Sequence, residues 1–318
     1  ASSLIVSAER FLFALRGGGN PRKVQWCDRE DYTVWAPTAT NEAGDFELVT
    51  DGAIERAASV RGRTLIVTTT DAHVAIYQGP PVVYGFQRVG SGCGIAAPCT
   101  LVSITNAAFW MGKEAFYVYD GSAVRELPCD VLDKVFDDIN RAEIRMAWGM
   151  SNQRHSEVWW FYPSDGSTVV DRYVSYDYQE NVWSIGSLDR STGTDLGVFD
   201  TPFMVDSDGG IYRHEIGNLY GGESPYVESG PVMLGNGHQV LRATQLLVDE
   251  RNPGDCTCTF KTRFYPDGDE YEHGPYTLTG PPTDVRFTGR QLRFRIDGSE
   301  SDFRFSRARL RVQEGGRR

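Results

Sequence analysis

The sequence predicts an all-β protein, with β-propeller-like repeated hairpins followed by a C-terminal antiparallel β-sandwich or barrel domain and one short helix near 130–143. Three observations lead there. Glycine supplies 34 of 318 residues without a collagen period, which reads as many tight turns and therefore many short strands. Aromatic residues reach 12%, concentrated in short apolar bursts. Helical periodicity is nearly absent, because the bursts alternate or run apolar between Gly, Asp, Asn and Pro.

Taken in order, Leu4-Ile5-Val6 reads as a strand, followed by a first unit of Phe11 to Leu15, Lys23 to Trp26 and Val34-Trp35. Strand, polar turn and strand then recur. Arg63 to Thr68 leads through Thr70-Asp71 to His73–Gly79, and Ala108 to Met111 leads to Phe116–Tyr119. Val158 to Tyr162 leads to Tyr173–Asp177, and Phe203 to Val205 leads to Ile211-Tyr212. Each second strand carries a marker tyrosine, Tyr77, Tyr119, Tyr176 or Tyr212, at intervals of 42, 57 and 36 residues. Those intervals bracket the roughly 40–50 residues of one propeller blade, a four-stranded sheet. A β-sandwich with long loops is the rival, and it leaves the recurrence unexplained. The single helical pattern covers residues 130–143, with Val131, Leu132, Val135, Phe136 and Ile139 on one face and Asp130 as the expected N-cap.

The texture changes near Leu241. All seven tryptophans lie between Trp26 and Trp183, and beyond 241 the strands mostly alternate, as in Leu292-Arg-Phe-Arg-Ile296. Alternation of apolar residues with arginine describes a half-buried sheet with a basic outer face. The expected domains are a propeller-like 1–240, of about four or five units, and an arginine-faced 241–318.

The formal net charge of −11 makes the chain a poor candidate for wrapping nucleic acid, whose phosphates are bound by Lys and Arg. The balance is uneven, with ten arginines from Arg286 to Arg318 against Asp297, Glu300, Asp302 and Glu314. No apolar run approaches the ~20 residues of a membrane helix, and no signal peptide is visible. The strand-like start at Ala1, without a methionine, suggests a segment of a longer or processed polypeptide. Six cysteines (27, 93, 99, 129, 256 and 258) form no C-x-x-C pair and are expected as buried thiols of a reducing compartment. Cys256 and Cys258, two apart in a strand, share one face.

A search for chemistry returns no catalytic, cofactor or metal residues. His73, His155, His214, His238 and His273 occur singly, without the paired spacing of a zinc site. Gly17-Gly-Gly19 before Asn20-Pro21 is turn chemistry and not a phosphate loop. Asp206-Ser-Asp-Gly209 with Glu215 has half the pattern of a calcium loop, but strands flank it where helices are required. It reads as a hairpin turn. Trp159-Trp160 offers a sugar-stacking surface from at most one ring, since neighbours in a strand face opposite ways.

Several segments together resemble the tail nozzle or hub proteins of short-tailed bacteriophages, the group of packaged-DNA stabilisation and tubular tail proteins. They are Gly19 to Trp26 with Trp35-Ala-Pro37, Gly62 to Thr68, Phe109 to Gly112 with Tyr119-Asp-Gly121, Glu157 to Pro163, and Thr288 to Gly298 with the ending Gly315-Gly-Arg-Arg318. The resemblance implies a virion structural protein with no catalytic residues or cofactors, assembled in the host cytoplasm. It would form a homo-oligomeric ring, six-fold, below the portal and adaptor, with the genome leaving through its channel during DNA ejection. Its partners would be other copies of itself and neighbouring tail proteins, without a membrane. The family's chains are usually longer, so four or five units are few for a closed ring. The alternative is a carbohydrate-binding or glycoside-hydrolysing propeller, although no S-x-D-x-G-x-x-W turn is present.

Overall fold

The computed structural model describes residues 1–217, 224–233, 240–250, 256–265, 267–278, 280, 282–298, 303 and 305–314, without the side chains of 249, 250 and 306. The chain divides into two compact units, Ala1–Glu215 and Ile216–Arg318.

The first unit is a succession of antiparallel meanders in which sequence neighbours are sheet neighbours. The first sheet is β1 (Ser3–Val6), β2 (Leu12–Leu15), β3 (Lys23–Trp26) and β4 (Gly44–Glu47). The second is β5 (Ile54–Val60), β6 (Arg63–Thr68), β7 (Asp71–Gly79) and β8 (Val83–Ser91). The third is β9 (Val102–Ser103), β10 (Ala108–Met111), β11 (Phe116–Tyr119) and β12 (Val124–Leu127). After helix α1 (Leu132–Asp138) comes the fourth, β13 (Trp148–Asn152), β14 (Glu157–Tyr162), β15 (Arg172–Asp177) and β16 (Val182–Ser187). The fifth has three strands, β17 (Thr192–Thr194), β18 (Phe203–Val205) and β19 (Ile211–Arg213).

Turn chemistry sets these meanders. Arg61 and Gly62, both at positive φ (49° and 73°), join β5 to β6, the two-residue geometry whose twist matches flanking strands. Asp120 Oδ1 accepts hydrogen bonds from the Ser122 and Ala123 amides, and Asp177 Oδ1 from those of Gln179 and Glu180. These Asx turns explain why the marker tyrosines Tyr119 and Tyr176 are each followed by aspartate. At Gly94 a Cβ would stand 2.0 Å from the Thr69 carbonyl oxygen, so the approach of that backbone requires glycine.

Consecutive sheets pack through apolar layers. Phe11, Phe13, Leu15 and Trp26 of the first sheet meet Ile54, Ile66 and Tyr84 of the second. Leu65, Val67 and Val74 of the second meet Trp110 and Tyr119 of the third. Phe109 and Phe116 meet Trp160, Tyr176 and Trp183 of the fourth, with Val135 and Phe136 of α1 in the same layer. Trp148 and Phe161 meet Met204 of the fifth. Alternation makes this stacking possible: Trp160 faces the third sheet, while Trp159 and Phe161 face the fifth. The first strands β1, β5, β9, β13 and β17 approach one another in that order, each within 8 Å of the next by Cα positions. Four-stranded meanders stacked face to face, first strands adjacent, form a propeller-like architecture.

The second unit is a sandwich. One sheet runs β20 (Tyr226–Glu228)–β26 (Gln291–Asp297)–β23 (Thr257–Arg263)–β24 (Tyr271–Thr277), with β21 (Val232–Met233) also on β26. The other runs β25 (Thr283–Gly289)–β22 (Leu241–Glu250)–β27 (Phe305–Glu314). Ala243, Leu246, Cys258, Phe260, Phe287 and Ile296 fill the layer between.

Three expectations are corrected. The helix is seven residues, Leu132–Asp138, not 130–143: Ile139 is extended and bridges to Ser164, and the Asn140 amide donates to the Pro163 carbonyl. Val131, with no side-chain cap bond, takes the N-cap position expected of Asp130. Val34-Trp35 lies in a loop, and β4 completes the first sheet instead. The compact units meet at 215/216, and β20 and β21, which pair with β26, belong to the second.

Candidate functional site

A polar cluster of the first unit is built on the β13–β14 hairpin. Register sets Asn152 at the end of β13 opposite Glu157 at the start of β14. The buried Asn152 Nδ2 donates to Glu157 Oε2 at 3.2 Å and to Glu215 Oε1 at 3.1 Å, so two carboxylates share one amide. The Trp159 indole N–H donates to Glu157 Oε2 at 2.7 Å. His155 Nε2 lies 3.2 Å from Glu215 Oε2. Beside them Ser151 Oγ donates to Asp195 Oδ2 at 2.6 Å. Burial raises the Glu157 carboxyl above its ordinary range; the Trp159 hydrogen bond opposes that shift and the negative charge of Glu215 reinforces it.

A pair of carboxylates in unlike environments beside an aromatic ring is the raw material of glycoside chemistry. Here those oxygens accept bonds from within the protein. The cluster ties Glu215, the last residue of the unit, to the hairpin of the fourth sheet. Asn152 and Glu157 were findable from hairpin register; Glu215, at far sequence separation, was not.

A second feature is a cleft of about 510 Å³ lined by Arg22, Glu47, Thr50, Asp51, Asp71 and Arg88 among others. At its wall the buried Asp71 accepts from Thr50 Oγ1 (2.8 Å) and Thr68 Oγ1 (2.5 Å), with His73 Nε2 at 3.2 Å. Thr68 Oγ1 also accepts from the Asp71 and Thr70 amides, so this network pins the β6–β7 turn.

The other sequence-picked residues scatter. His214 Nε2 accepts from Arg190 Nε at 3.0 Å, and His273 Nε2 lies 3.0 Å from Thr262 Oγ1. His238 lies outside the described residues. Asp206 Oδ1 accepts from the Asp208 and Gly210 amides, with Gly209 at φ 86°, which makes a turn of the 206–209 segment while Glu215 points to Asn152 and His155. Trp160 is fully buried, its N–H on the Thr100 carbonyl, and Trp159 stacks on Tyr173. Cys27, Cys93, Cys256 and Cys258 are buried, while Cys99 is exposed. Among the described residues no three His, Cys, Asp or Glu side chains group to hold a metal, and no helix is long and apolar enough to cross a membrane.

The arginines of the second unit divide between two outer faces. On the β20–β26–β23–β24 face they are neutralised within the chain. Arg293 pairs with Glu228 at 2.7 Å and Arg263 with Glu270 at 2.6 Å. Arg295 pairs with Asp297 at 2.7 Å and lies 4.0 Å above the Tyr226 ring. On the β25–β22–β27 face Arg242, Arg286, Arg307, Arg309 and Arg311 are exposed, and Arg311 donates to the neutral Gln245 at 2.6 Å. The ending Gly315 to Arg318, with Arg304, Glu300 and Asp302, lies outside the described residues.

No family model matches the chain, and no curated protein is similar to it. Solved structures to which the chain is similar include the AfRom2 CNH domain, 10% identical, covering 76% of this chain and 75% of its own, at a TM-score of 0.39. Another is PorZ, an essential bacterial surface component of the type-IX secretion system of Porphyromonas gingivalis, 8% identical at a TM-score of 0.35; the match covers 77% of this chain and 31% of that one. At those values neither likeness bears on activity, substrate or partner.

Proposed function

We propose that the chain is a structural subunit of a bacteriophage short-tail nozzle or hub, assembled with copies of itself as a ring around the DNA exit channel and joined to portal, adaptor or other tail proteins. The observation that carries the reading is the partition of charge. Residues 1–215 hold 29 Asp and Glu against 18 Lys and Arg, whereas residues 216–318 hold 14 of each, so the whole net charge of −11 belongs to the stacked-sheet unit. An acidic wall repels phosphates and lets a duplex slide without adhering. The end of the sheet stack suits assembly: Phe199 of the β17–β18 loop and Ile211 of β19 are 62% and 72% exposed, an apolar surface of the kind that a neighbouring copy covers. Native mass spectrometry and negative-stain imaging of the full chain at micromolar concentration test this, with closed rings expected. A strict monomer under all salt conditions overturns it.

One observation favours a second reading, a glycan-directed propeller: the Glu157–Asn152–Glu215 cluster beside Trp159. Glycan binding or hydrolysis by the wild type, lost in Glu157→Gln, would establish it in place of the first.

A further inference from the structure

The cleft between the first and second sheets holds a buried carboxylate that the protein satisfies on one oxygen alone. Asp71, the first residue of β7, is 5% exposed. Its Oδ1 accepts from Thr50 Oγ1 at 2.8 Å and from Thr68 Oγ1 at 2.5 Å, and His73 Nε2 stands 3.2 Å from the same oxygen. Among the described residues Oδ2 receives no hydrogen bond, and because Asp71 lines the cleft this oxygen opens on it. Polar atoms taken this far out of water are as a rule hydrogen-bonded, so Oδ2 calls for a donor from outside the chain.

An opposite charge stands close by. Past a bulge at Ala72/His73, register sets Arg88 of β8 across from His73, so its side chain leaves the sheet on the face that carries Asp71, two residues along. Diagonal neighbours of this kind lie about 7–8 Å apart between Cα atoms. Arg88 lines the cleft, is exposed, and meets no carboxylate among the described residues. Arg22, the other lining cation, is matched by Glu47 at 2.6 Å. At the rim the exposed Asp51 has no cationic partner among the described residues.

We propose that this cleft binds a free α-amino acid, its ammonium on Asp71 Oδ2 and its carboxylate on the Arg88 guanidinium. Other ligand classes each leave a charge opposed or unmet. An anion alone, phosphate included, faces Asp71 and Asp51, and a cation alone faces Arg88. A sugar answers neither charge, and no aromatic ring is among the lining residues to stack on it. A metal ion finds no group of three His, Cys, Asp or Glu among the described residues. A zwitterion meets both charges, because its ammonium and carboxylate sit on one carbon and each adds a charge-assisted hydrogen bond of about 2.7–2.9 Å. That reach spans a diagonal pair, and the guanidinium fork matches a carboxylate with two parallel bonds. The cleft's volume of about 510 Å³ leaves room for a side chain, and the unmatched Asp51 favours a basic one.

The site requires neither a ring nor a glycan. Isothermal titration calorimetry of the full chain with L-lysine and with glycine tests it, against n-butylamine, acetate and glucose. Saturable millimolar binding of both amino acids is expected, lysine the tighter. The three controls should bind about tenfold more weakly or less, since each forfeits at least one charge-assisted bond. Arg88→Gln, at an exposed position, should weaken both amino acids about 10–100-fold. Asp71→Asn keeps an acceptor for Thr50 and Thr68 and should weaken them as much; if it melts below the wild type, Arg88→Gln decides. Asp51→Asn should remove the preference for lysine over glycine. No binding at millimolar concentration overturns the proposal and leaves Oδ2 to water, and so does unchanged affinity in a folded Arg88→Gln. Acetate, butylamine or glucose bound as tightly as glycine overturns it too, assigning the cleft to an anion, a cation or a sugar. Sizing and titration read different surfaces, so a monomer that binds lysine sinks the ring alone, and a ring that ignores it sinks this site alone.

Discussion

His214 illustrates what one side chain gives up to be buried. Its Nε2 accepts from Arg190, and burial first, the positive Arg190 second, lower its pKa to about 4. An unfolded histidine titrates near 6.5. From about pH 6.5 down to 4 the unfolded chain therefore takes up a proton that the folded chain refuses, and stability falls as pH falls through that window. Histidine NMR should show one imidazole titrating near pH 4, absent in His214→Gln, whose stability should fall less steeply on acidification. A midpoint above 6 for that resonance would contradict the account. Glu157 has the opposite sign: its raised carboxyl favours the folded state at low pH and loses that contribution as pH rises through its folded value. That histidines occur singly was legible in the sequence. That His214 meets Arg190 and His155 meets Glu215 was not, because only the tertiary fold brings those residues together.

Among elements, the fourth sheet distributes its aromatics by alternation. Trp160 and Trp183 pack on Phe116 at ring separations of 4.8 Å each, whereas Trp159 stacks on Tyr173 at the other face. Trp160→Ala should cost about 3–5 kcal/mol in denaturant unfolding, and Trp159→Ala, partly exposed, clearly less; equal losses would refute the face assignment. The repeat itself was readable. Tyr77, Tyr119, Tyr176 and Tyr212 fall on β7, β11, β15 and β19, each the third strand of its sheet. Short first and fourth strands such as β4, β9 and β17 escaped, because two to four residues with little apolar content carry no period. The helix was overextended because Ile139, apolar and on phase, is captured with Asn140 by pairing with 163–164.

For the whole molecule, the separate cores predict separate folding. Fragments 1–215 and 216–318 should each unfold cooperatively by circular dichroism, the second through its own layer around Phe260 and Ile296. A fragment 216–318 without a thermal transition would show that its core depends on the rest of the chain. The change of texture near residue 241 was visible in the sequence, and the division into compact units precedes it. β20 and β21 are too short to announce themselves and join β26 from far along the chain. The arginine alternation was equally plain; which arginines meet carboxylates follows from strand order, which alternation does not encode.

The meander order of the first unit also bears on how the chain is made. Each of its sheets is completed by consecutive strands before the next begins, so contact order within the stack is low and loop-closure costs are small. A ribosome releasing this chain from its N-terminus would deliver one finished sheet at a time, each offering an apolar face as template for the next. The sandwich reverses that logic. β22 must wait for β27, some sixty residues later, before its edge is paired, which makes β27 the strand on which completion of its sheet depends.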